Sequence, residues 1–253
     1  MPTLELWPLN DGAVAVPGDV HVPVHDLDAL HAWLEHHDRA GTGTCVILGD
    51  FLDCKALGSH AKPPRETTYT IDEEAERANY ALAIFCAVFR EVIYLPGNHE
   101  SRVDYLQERE PSLAGLQWWE ILQLKERRNL TFLGIGDDIR FGKARLVHGD
   151  TLKGSMSAGG PATVLRNNPF EVTIYGHSHR LGAAYHTIYG RYGREHVYAA
   201  FNVGHLSDLT QQTYAVRPNW QLGGATLRML DDCGSVSVKL DAVVRASDRL
   251  VVV

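Results

Sequence analysis

Five short, continuous apolar runs are the strongest pattern in the chain. Each run is followed at once by a polar turn, which is typical of strands buried on both faces of a sheet. Between the first runs, apolar positions recur every three or four residues, and this spacing predicts helices that cover the sheets. The five runs are AVAV at residues 13–16, CVIL at 45–48, VIYL at 92–95, ARLV at 144–147 and VTIY at 172–175.

Two helices are predicted from this periodicity together with their capping residues. Residues 27–38 follow Asp26, whose side chain suits an N-cap. Residues 71–89 follow Thr70 and carry Glu73 three residues later, which is the arrangement of a capping box. Both segments therefore have a helix start signal as well as an apolar face.

The rest of the chain changes from helical to strand-like patterning. Residues 102–128 are expected to be helical with a break at Pro111. After residue 180, aromatic and β-branched residues alternate with glycine turns, and residues 224–253 alternate like antiparallel strands. Alternating β and α elements followed by mostly β elements predict one α/β domain over residues 1–253.

Composition narrows the class of protein. Apolar residues make up 45% and charged residues 22% of the chain, which is enough for a substantial core. The formal charge of −7 argues against nucleic-acid binding through a generally basic surface. The four cysteines form no CxxC pair, and the chain has neither a basic signal-like N-terminus nor an apolar stretch of about 18 residues. A cytoplasmic protein without membrane association is expected.

Possible metal ligands follow each of the five apolar runs. In open α/β sheets, ligands gather at the carboxyl ends of strands, so the five strand ends are expected to meet in one cleft. Residues two apart, as in DVH and HSH, point to the same side of an extended chain and can reach one site. The motifs are PGDVH at residues 17–21, GDFLD at 49–53, GNHE at 97–100, HGD at 148–150 and GHSH at 176–179.

Seven side chains in these motifs are candidate metal ligands. Taken singly, each is more often a turn or cap residue, but five such motifs in succession favour a metal site. Imidazoles and carboxylates without a thiolate suit manganese, iron, nickel or zinc. Seven ligands are too many for one tetrahedral ion, whereas two ions sharing a carboxylate would use them all. The seven are Asp19, His21, Asp50, Asn98, His148, His177 and His179.

In this order, the motifs resemble those of the calcineurin-like metallophosphoesterases, and the resemblance spans residues 18–180. It implies a four-layer α/β/β/α sandwich of two mixed sheets flanked by helices, with a dinuclear centre at the sheet edge. It also implies that the chain hydrolyses phosphate esters with two divalent ions as cofactors, manganese being the ion expected to support activity.

The resemblance also assigns roles to the candidate ligands. A hydroxide shared by the two ions would attack phosphorus, because metal binding lowers the pKa of water from about 15.7 to about 7. The first ion would be held by Asp19, His21 and His179, the second by Asn98, His148 and His177, and Asp50 would bridge them.

His99 and Asp53 are the candidate catalytic residues. His99 lies beside a candidate ligand but is not a ligand in the resemblance, and with a reference pKa of about 6.5 it can protonate the departing oxygen. Asp53, three residues after Asp50, would orient that imidazole. Asn98 and Arg102 are the candidate substrate-binding residues.

One position departs from the phosphoprotein phosphatases of this superfamily, which have an arginine after the second motif. Cys54 stands there in this chain, so a planar fork of phosphate-binding donors is missing. Arg102, Lys153 or Arg180 could replace it. The change favours phosphodiesters, because their single negative charge needs fewer cationic side chains to bind it. Phosphomonoesters are the second substrate class.

A nuclease and a non-catalytic scaffold are two further hypotheses. The motif region also resembles phage-related members of the family, which keeps nucleotides and nucleic acid among the candidate substrates. A predicted flap at residues 55–66 carries Lys55, Lys62 and Arg65 in agreement with this, whereas the acidic net charge opposes it. A scaffold that had lost the chemistry is expected to lack ligands, but no expected ligand position is vacant. The oligomeric state is left open.

Overall fold

The structure, a computed structural model, describes residues 3–6, 12–58, 69–168, 170–190, 193–211 and 218–253. The strands in these ranges are β1 (Thr3–Glu5), β2 (Ala13–Pro17), β3 (Thr44–Ile47), β4 (Glu91–Tyr94), β5 (Leu130–Phe132), β6 (Asp138–Phe141), β7 (Ala144–Val147), β8 (Val172–Tyr175), β9 (Leu181–Tyr189), β10 (Glu195–Val203), β11 (Gly223–Met229), β12 (Val236–Ala246) and β13 (Arg249–Val252). The helices are α1 (Leu27–Ala40), α2 (Ile71–Val88), α3 (Ser101–Arg109), α4 (Trp118–Ile121) and α5 (Gly160–Asn167).

The strands form two mixed sheets. The seven-stranded sheet has the order β13-β12-β11-β2-β3-β4-β5, and the six-stranded sheet has the order β1-β6-β7-β8-β10-β9. Strands β2 to β5 are parallel to one another, as are β7, β8 and β10 in the other sheet. The five predicted apolar runs are the parallel strands β2, β3, β4, β7 and β8, so these predictions are confirmed.

Apolar cores separate four layers. One core lies between the seven-stranded sheet and helices α1 and α2, and it contains Trp33 and Phe85. A second lies between the two sheets and contains Val46 and Ile174. A third lies between the six-stranded sheet and α5, where Val164 is buried. The predicted α/β/β/α arrangement of two mixed sheets flanked by helices is confirmed.

The capping signals of the first two helices are confirmed. The Asp26 side chain accepts a hydrogen bond of 2.9 Å from the Ala29 N–H, and Gly41, with a φ of +67°, caps the C-terminus of α1. In α2, the Glu73 N–H donates to the Thr70 hydroxyl at 3.3 Å, and the Thr70 N–H donates to the Glu73 carboxylate at 2.8 Å. Within the described ranges, no helix combines the length and the apolar character that crossing a membrane requires.

The segment after α3 is less helical than its sequence predicts. Helix α3 ends at Arg109, before Pro111, and is followed by 3₁₀ turns and the single turn of α4. Gln123 has a φ of +50°, which a continuing α-helix does not allow. Trp118 and Leu124 are nevertheless fully buried. The apolar periodicity here therefore comes from individual side chains that reach the core from short turns, not from one continuous helix.

Candidate metal centre

The strand ends of both sheets converge at one edge. Asp50 follows β3 of one sheet and His148 follows β7 of the other, and their Oδ1 and Nε2 atoms lie 3.3 Å apart. The Oδ1 of Asn98, which follows β4, lies 2.9 Å from the same nitrogen. The Nδ1–H of His148 donates to the Leu48 carbonyl at 2.7 Å, so its Nε2 is the nitrogen that faces the centre.

One cluster of candidate ligand atoms comes from Asp19, His21 and His179. The Nε2 of His179 lies 3.3 Å from Asp19 Oδ2 and 2.9 Å from His21 Nε2. All three residues are buried. Asp19 Oδ2 has no hydrogen-bond partner among the described residues. A buried, unsatisfied carboxylate oxygen is costly, and a cation beside it removes that cost.

A second cluster comes from Asp50, His148 and His177, whose ligand atoms lie within 4.8 Å of one another. Asp50 also faces the first cluster, because its Oδ2 lies 3.9 Å from His21 Nε2 while its Oδ1 lies 3.3 Å from His148 Nε2. One carboxylate therefore presents one oxygen to each cluster. That is the geometry of a ligand shared by two ions.

Asp53 lies behind these clusters and contacts two histidines. Its Oδ1 is 3.2 Å from His21 Nδ1 and 3.4 Å from His99 Nδ1. These three residues form a further group that could hold an ion. However, the Nε2 of His21 faces His179, and a carboxylate on the opposite ring nitrogen is the usual way to fix a metal-binding imidazole. We therefore interpret Asp53 as an orienting group.

The charges of the centre favour bound cations. Burial opposes ionisation of Asp53, but hydrogen bonds from His21 and His99 more than offset it, and its pKa lies well below its usual range. Burial also opposes a charge on His148, yet the charge of Asp50 and their hydrogen bond raise the pKa of His148 to about 10. Asp50 and Asp53 thus attract positive charge, whereas burial raises the pKa of the Asp19 carboxyl. A set of carboxylates and imidazoles fits borderline divalent cations.

Several candidate ligands have a left-handed backbone. His21, Asp50, His177 and His179 have φ values between +47° and +68°. Such a conformation costs a residue with a side chain about 1–2 kcal/mol. The backbone is therefore not fully extended at His21, His177 and His179. Asp19 and His21 nevertheless share one cluster, as their spacing predicts, whereas His177 and His179 face different clusters.

Two glycines allow the loops after β3 and β4 to touch. A Cβ built on Gly97 would lie 2.5 Å from the Asp50 backbone nitrogen and 3.0 Å from His148 Cε1. A Cβ on Gly49, whose φ is +92°, would lie 2.5 Å from Gly97 Cα. No side chain fits at either position. The glycines of the GD and GN motifs thus bring Asp50 and Asn98 into one site.

Glu100, to which the sequence assigns no role, ties these two loops together. It is fully buried, and its carboxylate accepts five hydrogen bonds of 2.7–3.0 Å. Nothing local in the sequence indicates this role, because the donors lie up to 50 residues away. The donors are the backbone N–H groups of Asp50, Phe51, Leu52 and Gly97 and the hydroxyl of Tyr94.

His99 lies at the rim of the clusters, with its Nε2 3.8 Å from Asp50 Oδ2. Its Nδ1–H donates to the Asp53 carbonyl at 2.5 Å. Arg102 donates to the same carbonyl at 2.8 Å and to His99 Nε2 at 2.9 Å. Because a guanidinium has only donors, Nε2 is the acceptor and His99 is neutral in this arrangement. To act as an acid, His99 must gain a proton and Arg102 must turn away.

Unlike Arg102, the other cationic residues predicted to bind phosphate make no described contact with His99. Lys153 is exposed, and Arg180 donates to the Ser157 carbonyl at 2.5 Å. In the predicted flap, Lys55–Leu57 form a 3₁₀ turn. Residues 59–66 of the flap, with Lys62 and Arg65, lie outside the described residues.

His205 and Trp220, which lie outside the five motifs, pack against His179. Their ring centroids are 5.3 Å and 4.3 Å from that of His179. The Ser207 N–H donates to His205 Nδ1 at 3.1 Å, and burial lowers the pKa of His205 to about 3, so this histidine is neutral. No spacing signal in the sequence connects either residue with the centre.

Comparison with known families agrees with the motifs and the fold. The family model for calcineurin-like phosphoesterases matches residues 13–181, which is more than half of the chain. The chain therefore belongs to the calcineurin-like phosphoesterase family, and the resemblance predicted from the motifs is confirmed. No curated protein matched the chain.

Solved structures of similar fold include three with low sequence identity. A single mutant of Vps29 from Entamoeba histolytica is 16% identical, with 91% of this chain and 98% of that chain covered and a TM-score of 0.41. Vps29 from Chaetomium thermophilum is 12% identical, with 92% and 96% covered and a TM-score of 0.42. YfcE, a phosphoesterase from E. coli, is 19% identical, with 90% and 98% covered and a TM-score of 0.40. Similarities at this level carry no information about the activity of this chain.

Proposed function

We propose that the chain is a metal-dependent enzyme that hydrolyses phosphate esters and prefers diesters to monoesters. The observation that carries the proposal is the placement of Asp50, with Oδ1 beside His148 and Oδ2 toward His21. A carboxylate shared by two clusters of imidazoles and carboxylates is suited to two neighbouring cations.

The proposed ligand sets follow the two clusters. Manganese, iron, nickel and zinc all fit these donors, and manganese is the ion we propose for activity. When bound, such ions polarise phosphate oxygens and supply an activated water as the nucleophile. One ion would be held by Asp19, His21 and His179, the other by Asn98, His148 and His177, with Asp50 shared between them.

The chain's own groups would act on the leaving group and the phosphate. His99, once protonated, would donate a proton from Nε2 to the departing oxygen, which typically contributes about 10²–10⁴-fold in rate. Asp53 would keep the proton on Nδ1, so that the Nε2 proton points into the cleft. Arg102 would release His99 Nε2 and donate its hydrogen bond to a phosphate oxygen instead. The Asn98 amide would also bind the phosphate.

Two features support diesters as the substrate class. Cys54, which replaces the phosphate-binding arginine of related protein phosphatases, is fully buried, so it contributes nothing to phosphate binding. The leaving group of a natural diester is poor, and an acid such as His99 is most useful with a poor leaving group.

Hydrolysis by the manganese-loaded protein tests the proposal. Wild type is expected to hydrolyse bis-p-nitrophenyl phosphate faster than p-nitrophenyl phosphate or a single-stranded oligonucleotide. Asp50→Asn should lose at least about a hundredfold of this activity. His31→Ala, at an exposed position of α1, is the matched control and should keep it.

Other outcomes would contradict specific parts of the proposal. Faster hydrolysis of the monoester contradicts the diester preference, and faster cleavage of the oligonucleotide indicates a nuclease. No hydrolysis of any of the three by folded, metal-loaded protein indicates a non-catalytic scaffold. A single domain over residues 1–253 and a cytoplasmic location stay predictions.

A further inference from the structure

His179 is a candidate ligand that lacks the usual second hydrogen bond of a metal-binding imidazole. Its Nε2 lies 2.9 Å from His21 Nε2 and 3.3 Å from Asp19 Oδ2, so Nε2 is the nitrogen that faces this cluster. Its Nδ1 is buried and has no hydrogen-bond partner in the part of the chain that the structure describes. A metal-binding histidine almost always donates its other ring N–H to an acceptor, which fixes the ring. The ring of His179 must be fixed in another way.

Two other imidazoles that present Nε2 to the clusters do have a contact of this kind. His21 Nδ1 lies 3.2 Å from the Asp53 carboxylate. His148 Nδ1 lies 2.7 Å from the Leu48 carbonyl. Both rings are therefore held by a polar partner behind them, and His179 differs from both.

The ring of His179 is packed against two other rings instead. The His205 imidazole is stacked on it, with the ring centroids 5.3 Å apart and the planes at 29°. The Trp220 indole meets it edge to face, with the centroids 4.3 Å apart and the planes at 72°. Offset-stacked and edge-to-face contacts are the favourable geometries for pairs of rings. Rotation of the His179 ring would disturb both contacts, so both oppose it.

His205 is well placed to hold another ring, because it is itself fixed. It is fully buried. Its N–H donates to the Gln221 carbonyl at 3.2 Å, its carbonyl accepts from the Gly223 N–H at 2.9 Å, and its Nδ1 accepts from the Ser207 N–H at 3.1 Å. Its Nε2 has no hydrogen-bond partner among the described residues. The ring therefore acts on His179 through packing and not through a hydrogen bond from Nε2.

We propose that His205 and Trp220 are positioning residues: their rings hold the His179 imidazole so that its Nε2 points into the cluster with Asp19 and His21. The proposal rests on the proposed function, in which this cluster holds one of the two ions. It predicts that loss of either ring weakens binding of that ion and leaves the ligands of the other ion in place.

Replacements of His205 can separate the ring from its hydrogen bond. The amide oxygen of His205→Asn can accept from the Ser207 N–H in place of Nδ1, but no ring remains to pack on His179. His205→Phe keeps a ring and loses the acceptor. If ring packing positions His179, the asparagine variant should bind the ion poorly and the phenylalanine variant should bind it well. Trp220→Ala and Trp220→Phe make the same comparison at the second ring.

Calorimetric titration with manganese measures the effect on the ion. The titration uses a chain with His148→Ala and His177→Ala, in which the cluster that contains His179 remains. Adding His205→Asn or Trp220→Ala should weaken binding by about tenfold or more, as is typical for residues that orient metal ligands. Adding either phenylalanine variant should keep the affinity within about threefold. His196→Asn, at an exposed position of β10, is the matched control and should also keep it.

Proton–nitrogen NMR spectra of the metal-free, isotope-labelled chain measure the ring without any ion. The imidazole signals of His179 are assigned by their loss in His179→Gln. Wild type should show one sharp set of these signals, because the ring has one orientation. His205→Asn should broaden or double them, whereas the signals of His37, which is buried beside α2, should stay as in wild type.

The results for or against the proposal are distinct. Unchanged manganese affinity in His205→Asn and Trp220→Ala overturns it, and so does an equal loss of affinity in His205→Asn and His205→Phe. If Trp220→Ala unfolds, Trp220→Leu replaces it and should weaken binding in the same way. Absence of manganese binding by wild type contradicts the proposed function. In that case the NMR signals decide, and a sharp, single set for His179 in His205→Asn overturns the positioning role.

Discussion

The carboxylate of Glu100 accepts a hydrogen bond of 3.0 Å from the backbone N–H of Asp50. The same carboxylate accepts one of 2.8 Å from the Gly97 N–H, so one side chain joins the loops after β3 and β4 where their candidate ligands face the centre. A carboxylate that replaces water for five donors makes this part of the site rigid. Glu100 therefore fixes the position of the candidate ligands although it is not itself a candidate ligand.

Replacing Glu100 tests this role. Glu100→Ala leaves buried N–H groups without an acceptor, and each such group costs about 1–3 kcal/mol, so we expect a loss of at least about 3 kcal/mol in the free energy of unfolding. Urea unfolding measures it. Glu110→Ala, at an exposed position just after α3, should change stability by less than about 0.5 kcal/mol. A loss below about 1 kcal/mol in Glu100→Ala contradicts the role.

Asp53→Asn should affect metal binding and catalysis together. An amide cannot accept equally well from His21 Nδ1 and His99 Nδ1, so both imidazoles lose their fixed orientation. Manganese affinity, measured by calorimetry, is expected to fall by about 10–100-fold. Hydrolysis of diphenyl phosphate is expected to fall by at least about a hundredfold. Asp72→Asn, an exposed change in α2, is the control, and wild-type affinity in Asp53→Asn would show that Asp53 does not orient His21.

Gly97→Ala should disrupt the centre through a steric clash. A Cβ there lies 2.5 Å from the Asp50 nitrogen, so one of the two loops must move. We expect a loss of about 2–4 kcal/mol in stability, seen in urea unfolding, together with weaker manganese binding. Gly182→Ala is a matched control, because its Cβ would meet only Pro161 Cγ at 3.7 Å. If Gly97→Ala has the stability and the metal content of wild type, the prediction is wrong.

His37 should make the protein sensitive to acid. Burial, with the charges of His36 and Lys239, lowers the pKa of His37 to about 3, against about 6.5 in the unfolded chain. The stability that this neutral histidine provides is complete above pH 6.5 and is lost as the pH falls toward 3, because only the unfolded state gains the proton. This amounts to about 2–3 kcal/mol between pH 7 and pH 4.5.

Urea unfolding at these two pH values measures the effect of His37. His37→Gln should lose about 2–3 kcal/mol less than wild type between pH 7 and pH 4.5, since glutamine does not titrate. His31→Gln, on the exposed side of the same helix, should behave like wild type. An identical pH dependence in His37→Gln and wild type would show that His37 is not held neutral.

The candidate ligands could be found from sequence because they are chemically distinctive and directly follow apolar runs. Asp50 after CVIL and His148 after ARLV are examples, and the structure places their side chains 3.3 Å apart. The backbone that presents them could not be predicted. Left-handed conformations at His21 and His179 follow no local rule of the sequence. The roles of these residues stay predictions.

The same distinction applies to the fold. The capping box of Thr70 and Glu73 is local, and it was predictable for that reason. Strand β1 has only three residues and lies at the edge of its sheet, so it lacks the apolar run of a buried strand. Glu100 accepts hydrogen bonds from backbone N–H groups 48 to 50 residues away, and no local pattern marks such contacts.

The number of ions bound per chain tests the central claim most directly. Protein equilibrated with manganese and freed of unbound metal can be analysed by inductively coupled plasma mass spectrometry. Wild type and His31→Ala should each hold two ions per chain, and a double variant, His148→Ala with His177→Ala, should hold one, because the cluster of Asp19, His21 and His179 remains. Two ions in the double variant, or none in folded wild type, would contradict the account.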